Sequence, residues 1–259
     1  MTAALLDVRD LTKSFGGIRA IDGLSMHVAD GEILGIIGPN GAGKTVLINL
    51  VTGFYRPTSG TISFLGGRIE RQPLHRIGRM GIARTFQNIR LFRRMTALEN
   101  VLVAIQRHGA HPLRAALRLH PRTQGLDEAM ELLALMGLTA RANQNAGTLA
   151  YGDARRLEIA RALATQPRLL LLDEPAAGMN ERETEELAAD IRKVRPRLSA
   201  IALIEHDLSL IRSLSERVIA VNYGKVIAQG DAGSVLSQPQ VIEAYLGKEE
   251  DDGADPVRH

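Results

Sequence analysis

The chain has 259 residues, no cysteine and a formal net charge of +3, with 45% hydrophobic and only 3% aromatic residues. That length suits one sizeable core or a core with an inserted subdomain, and the missing cysteine excludes disulfides, thiolate nucleophiles and Cys-ligated zinc. No apolar stretch approaches the ~20 residues of a membrane span, and Met1–Asp10 lacks the basic-then-apolar pattern of a secretion signal, so a soluble α/β protein is expected.

Charge is unevenly placed. The tail 249–259 holds five acids against one arginine, a net −4 that leaves +7 on the body, and it is expected to be disordered. Eight arginines fall between Arg68 and Arg94, but no aromatic side chains alternate with them as a base-stacking surface requires, so a solvated face is expected and nucleic acid is not.

In chain order, Leu6–Leu11 and Leu24–Val28 alternate apolar and polar residues, as antiparallel strands with one wet face do. Ile33–Ile37 is continuously apolar and expected to be buried. It runs into Gly38-Pro39-Asn40-Gly41-Ala42-Gly43-Lys44-Thr45 and then a helix over Lys44–Val51, which is a complete GxxxxGK[ST] between a strand and a helix. Glycines let successive N–H groups point at one phosphate, and the helix N-terminus adds partial positive charge. Lys44 would neutralise β/γ-phosphate oxygens and the Thr45 hydroxyl would ligate Mg²⁺. An ordinary Gly-rich turn is the alternative. Further strands are expected at Thr61–Phe64, ended by Gly66-Gly67, and at Ile82–Phe86.

From Gln87 to about Thr165 the pattern turns helical. Leu98, Val101, Leu102 and Ile105 are spaced as on one helix face, as are Leu126, Ala129, Met130, Leu133 and Met136, with Gly137 as the stop. The stretch 111–124 is irregular, and Asp153–Ala164 is helical by composition.

Arg168–Leu172 is a buried strand ending in Asp173-Glu174-Pro175. Acidic residues at the carboxyl end of such a strand lie where open α/β sheets bind ligands. Asp173 is placed to hold Mg²⁺ through water, and Glu174 to polarise an attacking water. Ala200–Ile204 repeats the arrangement and delivers His206, which could equally be a polar loop residue, ahead of a helix over Leu208–Leu214. A hairpin around Tyr223-Gly224 and a short helix over Val241–Leu246 complete the folded part.

The order of P-loop, Gln87, the segment Leu149-Ala150-Tyr151-Gly152-Asp153, the Asp173-Glu174-Pro175 strand end and His206 resembles an ABC-transporter ATPase subunit over nearly the whole chain. Ala83–Phe92, Pro175–Asn180, Leu203–Asp207 and Ile242–Gly247 resemble the ATP-binding subunits of branched-chain amino acid importers more narrowly, with urea, amide and other amino-acid importers as relatives. The resemblance implies a P-loop α/β cassette: a core of 1–86 and 166–248 with an antiparallel β subdomain, and an inserted helical subdomain of 87–165.

It also implies a cytoplasmic, peripheral ATPase that binds ATP and Mg²⁺ and energises permease subunits at the inner membrane, fed indirectly by a substrate-binding protein. A second cassette would pair with it head to tail, each nucleotide lying between one P-loop and the other chain's signature segment. Phe15 would stack on adenine, Gln87 would reach Mg²⁺ and water, His206 would contact the γ-phosphate, and Asn88–Phe92 would border the groove for the permease. For Phe92 a core reading stands beside this interface reading. A soluble ABC protein of translation or repair and a binding-only ATP sensor are the competing classes.

Four positions depart from the family's usual pattern. Val46 stands where a second hydroxyl often meets the α-phosphate, and Asn180 where an aspartate is common in many cassettes, although the importer subunits it resembles also favour asparagine. Ala150 and Asp153 replace the usual serine and glutamine of the signature segment. A defective signature would impair the partner's site, so a heterodimer with an intact paralogue is expected over a homodimer; the alternative is that Gly152 and the helix N-terminus suffice and both substitutions are tolerated.

Overall fold

The computed structural model describes residues 4–109 and 125–246. The expected irregular stretch 111–124 (but for its neighbour Gly125), Gly247 and the acidic tail lie outside those residues. The chain divides into two compact units, Met1–Gln72 with Ala202–His259, and Pro73–Ile201. The second contains all of the expected helical segment 87–165 together with the strand that carries Asp173.

In the first unit, β1 (Ala4–Phe15) and β2 (Ile18–Ala29) form an antiparallel hairpin across Gly16-Gly17; β4 (Ser59–Phe64) pairs with the other side of β1 and β5 (Gly67–Arg68) follows, giving the order β2-β1-β4-β5. Val8 and Leu11 are both buried although three apart, which strict alternation forbids. A register shift between them, with Asp10 at φ 47°, supplies the extra residue that turns Leu11 back to the core face.

β3 (Ile33–Ile37) is buried throughout because it is covered on both faces. It pairs in parallel with β9 (Arg217–Asn222), which pairs antiparallel with β10 (Lys225–Gly230). Helices α1 (Lys44–Val51), α7 (Leu208–Leu214), α8 (Ala232–Leu236) and α9 (Pro239–Leu246) complete this unit. Asp207 and Asp231 start α7 and α8 by accepting first-turn amides.

In the second unit, β6 (Ile82–Arg84) lies parallel to β7 (Leu169–Asp173). The expected strand reaching Phe86 stops at Arg84, because the Phe86 and Gln87 carbonyls are taken by the Arg155 guanidinium instead of a neighbouring strand. Around this pair lie α2 (Leu74–Arg79), α3 (Ala97–Gly109), α4 (Leu126–Leu135), α5 (Tyr151–Leu163) and α6 (Glu181–Val194). Helix α4 ends as expected at Gly137: at φ 69° it donates to Ala134 O, while Leu138 N–H reaches back to Leu133 O. The last strand, β8 (Ala200–Ile204), carries the chain from the second unit back into the first.

Candidate nucleotide site

The P-loop is shaped by close approach. A Cβ on Gly38, at φ 153°, would sit 2.1 Å from Val221 O, and one on Gly43, at φ 104°, would sit 2.6 Å from Ala20 O. Only glycine fits either place. The β9–β10 turn seals the loop from one side, with Gly224 N–H donating to Ala42 O at 2.9 Å. Gly43 caps α1 without a side chain, which leaves its first-turn amides for an anion.

Lys44 is 5% exposed, and its ammonium donates to Gly38 O at 2.6 Å and Pro39 O at 3.0 Å. It is therefore curled over the loop rather than extended into solvent. Thr45 and Asn40 are exposed at the rim, and Val46 is half-buried. Phe15 ends β1 at 41% exposure, in a T-shaped contact with Tyr55 (centroids 5.1 Å apart) and with Lys13 Nζ 4.9 Å above its ring. At the end of β8, His206 is exposed; its N–H donates to the carboxylate of fully buried Glu205 at 3.2 Å.

In the second unit β7 delivers Asp173, 2% exposed, and Arg84 from β6 donates to its Oδ2 at 2.6 Å. Glu174, at φ 47°, turns out of the strand and accepts from Gln87 Nε2 at 2.7 Å. Gln87 is held from behind by Arg155, which is fully buried on α5 and donates to Phe86 O (2.7 Å), Gln87 O (2.9 Å), Glu158 (2.7 Å) and the Tyr151 hydroxyl (3.2 Å). Tyr151 in turn donates to Ala177 O at 2.7 Å, in the loop after Glu174. The segment Leu149–Asp153 is thus tied to both loops that flank Glu174.

Ala150 caps α5 with no side-chain hydrogen bond. Gly152 is half-buried with open space where a Cβ would go. The Asp153 carboxylate lies 3.5 Å from Arg141 Nε and 3.6 Å from Arg156 Nη1. Arg156 also pairs with Asp190 (2.7 Å) and Glu186 (2.9 Å); burial opposes its charge, but those hydrogen bonds win and raise its pKa. Asp153 is therefore flanked by arginines.

Among the described residues no group of three or more His, Asp or Glu side chains could hold a metal unaided. Within the second unit, Asp173 and Gln87 bring one buried carboxylate and one amide, a set that suits Mg²⁺ only where substrate phosphates supply further oxygens, its usual mode. Sequence reasoning passed over Arg84, one of the eight arginines read as a solvated face, although its side chain is 10% exposed. The available signal was its position on a short apolar strand, two residues from Ile82 on the same face.

An ABC transporter family model matches residues 21–177. The chain is also 45% identical over 254 residues to the high-affinity branched-chain amino acid transport ATP-binding protein BraF of Pseudomonas aeruginosa, covering 96% of this chain and 100% of BraF. The chain belongs to the ABC transporter family. In this ABC cassette a second model, for branched-chain amino acid ATP-binding cassette transporters, matches residues 225–251. LivG of Escherichia coli K12, a high-affinity branched-chain amino acid transport ATP-binding protein, is likewise 45% identical over 96% of the cassette and 100% of its own length. The ABC cassette MJ1267 in its ADP conformation superposes with a TM-score of 0.85 at 31% identity, covering 95% of this chain and all of that one. A nucleotide-free ABC cassette gives 0.83 at 30% identity, covering 94% and 99%. The cassette is a nucleotide-binding P-loop α/β protein of a family of ATPases coupled to transport, and no helix among its described residues is long and apolar enough to cross a membrane.

Proposed function

We propose that the chain is the ATP-hydrolysing subunit of a branched-chain amino acid importer, seated on permease subunits at the cytoplasmic face of the inner membrane. The observation that carries this reading is full-length identity of 45% to BraF and LivG, joined to the glycine-shaped loop Gly38–Thr45 with Lys44 curled over it.

On this reading Lys44 exchanges the Gly38 and Pro39 carbonyls for β/γ-phosphate oxygens, a swap that keeps its buried charge satisfied. The amides of Gly41, Ala42, Gly43, Lys44 and Thr45 surround the phosphates, and Phe15 offers its exposed ring to adenine. Thr45, Gln87 and, through water, Asp173 would hold Mg²⁺, whose charge would offset that on the phosphate oxygens. Glu174 takes a proton from the attacking water as its oxygen bonds the γ-phosphorus and the bridge to ADP breaks. Gln87 orients that water, and His206 hydrogen-bonds a γ-phosphate oxygen.

The signature segment serves the P-loop of a second cassette, and the absence of an Ala150 hydroxyl supports a heterodimer with a paralogue. A cleft of about 430 Å³ lined by Gln87, Asn88, Ile89, Leu91, Leu149 and Tyr151 supports permease docking, as does Phe92, which is 44% exposed with Arg161 over its ring rather than in the core.

The test is to co-express the chain with two candidate permeases and a candidate second cassette and measure phosphate release by the purified assembly. Turnover that Lys44→Ala abolishes supports the reading. Failure of the wild-type chain to bind ATP or to co-purify with any permease overturns it.

A further inference from the structure

The segment around Tyr245 has no part in the reaction described above, yet it touches the P-loop. Tyr245 lies on α9, 207 residues along the chain from Gly38, and its hydroxyl oxygen accepts the Gly38 N–H at 2.8 Å. Helix α9 is anchored independently, through Gln240 Nε2 to Ile227 O at 2.6 Å and through Val241, which is 2% exposed.

The Gly38 peptide is held at every point. Its N–H is bound by Tyr245, its carbonyl receives the Lys44 ammonium, and the backbone of Val221 closes the side a Cβ would occupy. A buried amide must be satisfied, so the loop cannot keep this conformation cheaply without an acceptor at that position. Burial pushes the Tyr245 phenol up, the Gly38 N–H opposing, so the hydroxyl is neutral throughout the physiological range.

We propose that Tyr245 is a positioning residue for nucleotide binding: its hydroxyl fixes the Gly38 peptide, and through the Gly38 carbonyl the resting place of Lys44, so docking of the C-terminal helix and filling of the P-loop are coupled. The inference rests on the nucleotide-binding reading. Coupling of this kind is reciprocal. An adenine nucleotide that orders the loop must also hold α9 in place, and loosening α9 must weaken the nucleotide.

The experiment compares full-length wild type, Tyr245→Phe and Ile242→Ala, a control at a 44% exposed position of the same helix. ADP affinity is measured by calorimetry, and hydrogen exchange is followed in the peptide covering 239–246 with and without ADP. Loss of one buried hydrogen bond predicts about five- to tenfold weaker ADP binding by Tyr245→Phe, and wild-type affinity for Ile242→Ala. ADP should slow exchange in 239–246 of wild type and not of Tyr245→Phe. A purely structural role would lower the nucleotide-free melting temperature and leave affinity alone. Equal affinities, or no ADP-dependent protection of 239–246 in wild type, overturn the proposal; the second arm decides even where Tyr245→Phe fails to fold. A wild-type chain that binds no ADP removes instead the reading on which the proposal rests.

Discussion

Gln87 donates its side-chain amide to the Glu174 carboxylate at 2.7 Å, and the peptide that carries Gln87 is gripped by the buried Arg155. The glutamate proposed for water activation is thus oriented by a neighbour whose own backbone is held by Arg155. Glu174→Gln keeps the shape and removes the basicity. Turnover is expected to fall by roughly a hundredfold or more, with ATP affinity retained. Steady-state ATPase assays alongside calorimetry check this; unchanged turnover would remove Glu174 from its role.

Asp173 and Arg84 form a buried ion pair, with side chains 3% and 10% exposed. Removing one partner strands the other charge away from water, so Arg84→Ala is expected to cost roughly 3–5 kcal/mol. Arg84→Lys should recover part of that. Urea unfolding of the three proteins measures the difference, and a loss below about 1 kcal/mol, the scale of a surface pair, would contradict it.

At the proposed phosphate cradle, Lys44→Ala should abolish measurable ATP binding, because the buried ammonium proposed to face the phosphates is lost. Phe15→Ala should weaken binding by only ~1–2 kcal/mol of stacking, and Phe15→Tyr should be tolerated. Thermal shifts on adding ATP report all three. Equal protection of wild type and Lys44→Ala would displace the phosphate from this loop.

Ala150 and Asp153 bear on pairing. The arginines at 141 and 156 offset the Asp153 charge, so its repulsion of a partner's ATP is expected to be small, and the missing Ala150 hydroxyl carries most of the expected defect. The chain alone should hydrolyse ATP slowly, Ala150→Ser should raise the rate more than Asp153→Gln, and the paralogue should raise it further. Brisk turnover by the unmodified chain alone, unimproved by either change, would contradict the heterodimer.

Asp207 caps α7. Burial works to raise its pKa, but hydrogen bonds from the Ser209 hydroxyl and from the Leu210 and Ser209 amides outweigh it and hold the carboxyl below its ordinary 3.8. A depressed carboxylate adds stability above its unfolded pKa and loses it as pH falls through the folded value. Asp207→Asn keeps the cap without the charge, so its stability should decline less steeply than wild type below about pH 4. Thermal midpoints across acid pH test the slope.

The elements marked by unambiguous punctuation were legible in the sequence. Helices Lys44–Val51 and Leu208–Leu214 have the bounds expected of them from the glycine-rich loop and from the apolar strand before His206. Helix Glu181–Val194 was not foreseen because it is mostly charged, although the Asn180–Glu183 capping box and the buried Leu187, Ala188, Ile191 and Val194 were its signal. The residues that support the site were hidden for a different reason. Arg84 and Arg155 belong to a type usually found in solvent, and their burial follows from acceptors that only the folded chain supplies. Tyr245 meets a glycine 207 residues away, a pairing that local pattern cannot carry.

On the proposed function, ATP hydrolysis by this chain drives branched-chain amino acids inward. The most direct measurement is uptake of radiolabelled leucine into proteoliposomes holding the chain, its permeases and its second cassette, with the substrate-binding protein outside and ATP inside. ATP-dependent leucine accumulation, lost with Glu174→Gln and not replaced by urea or amide uptake, is the predicted result. Leucine uptake that persists with Glu174→Gln, or ATP-driven uptake of urea or an amide in place of leucine, would contradict it.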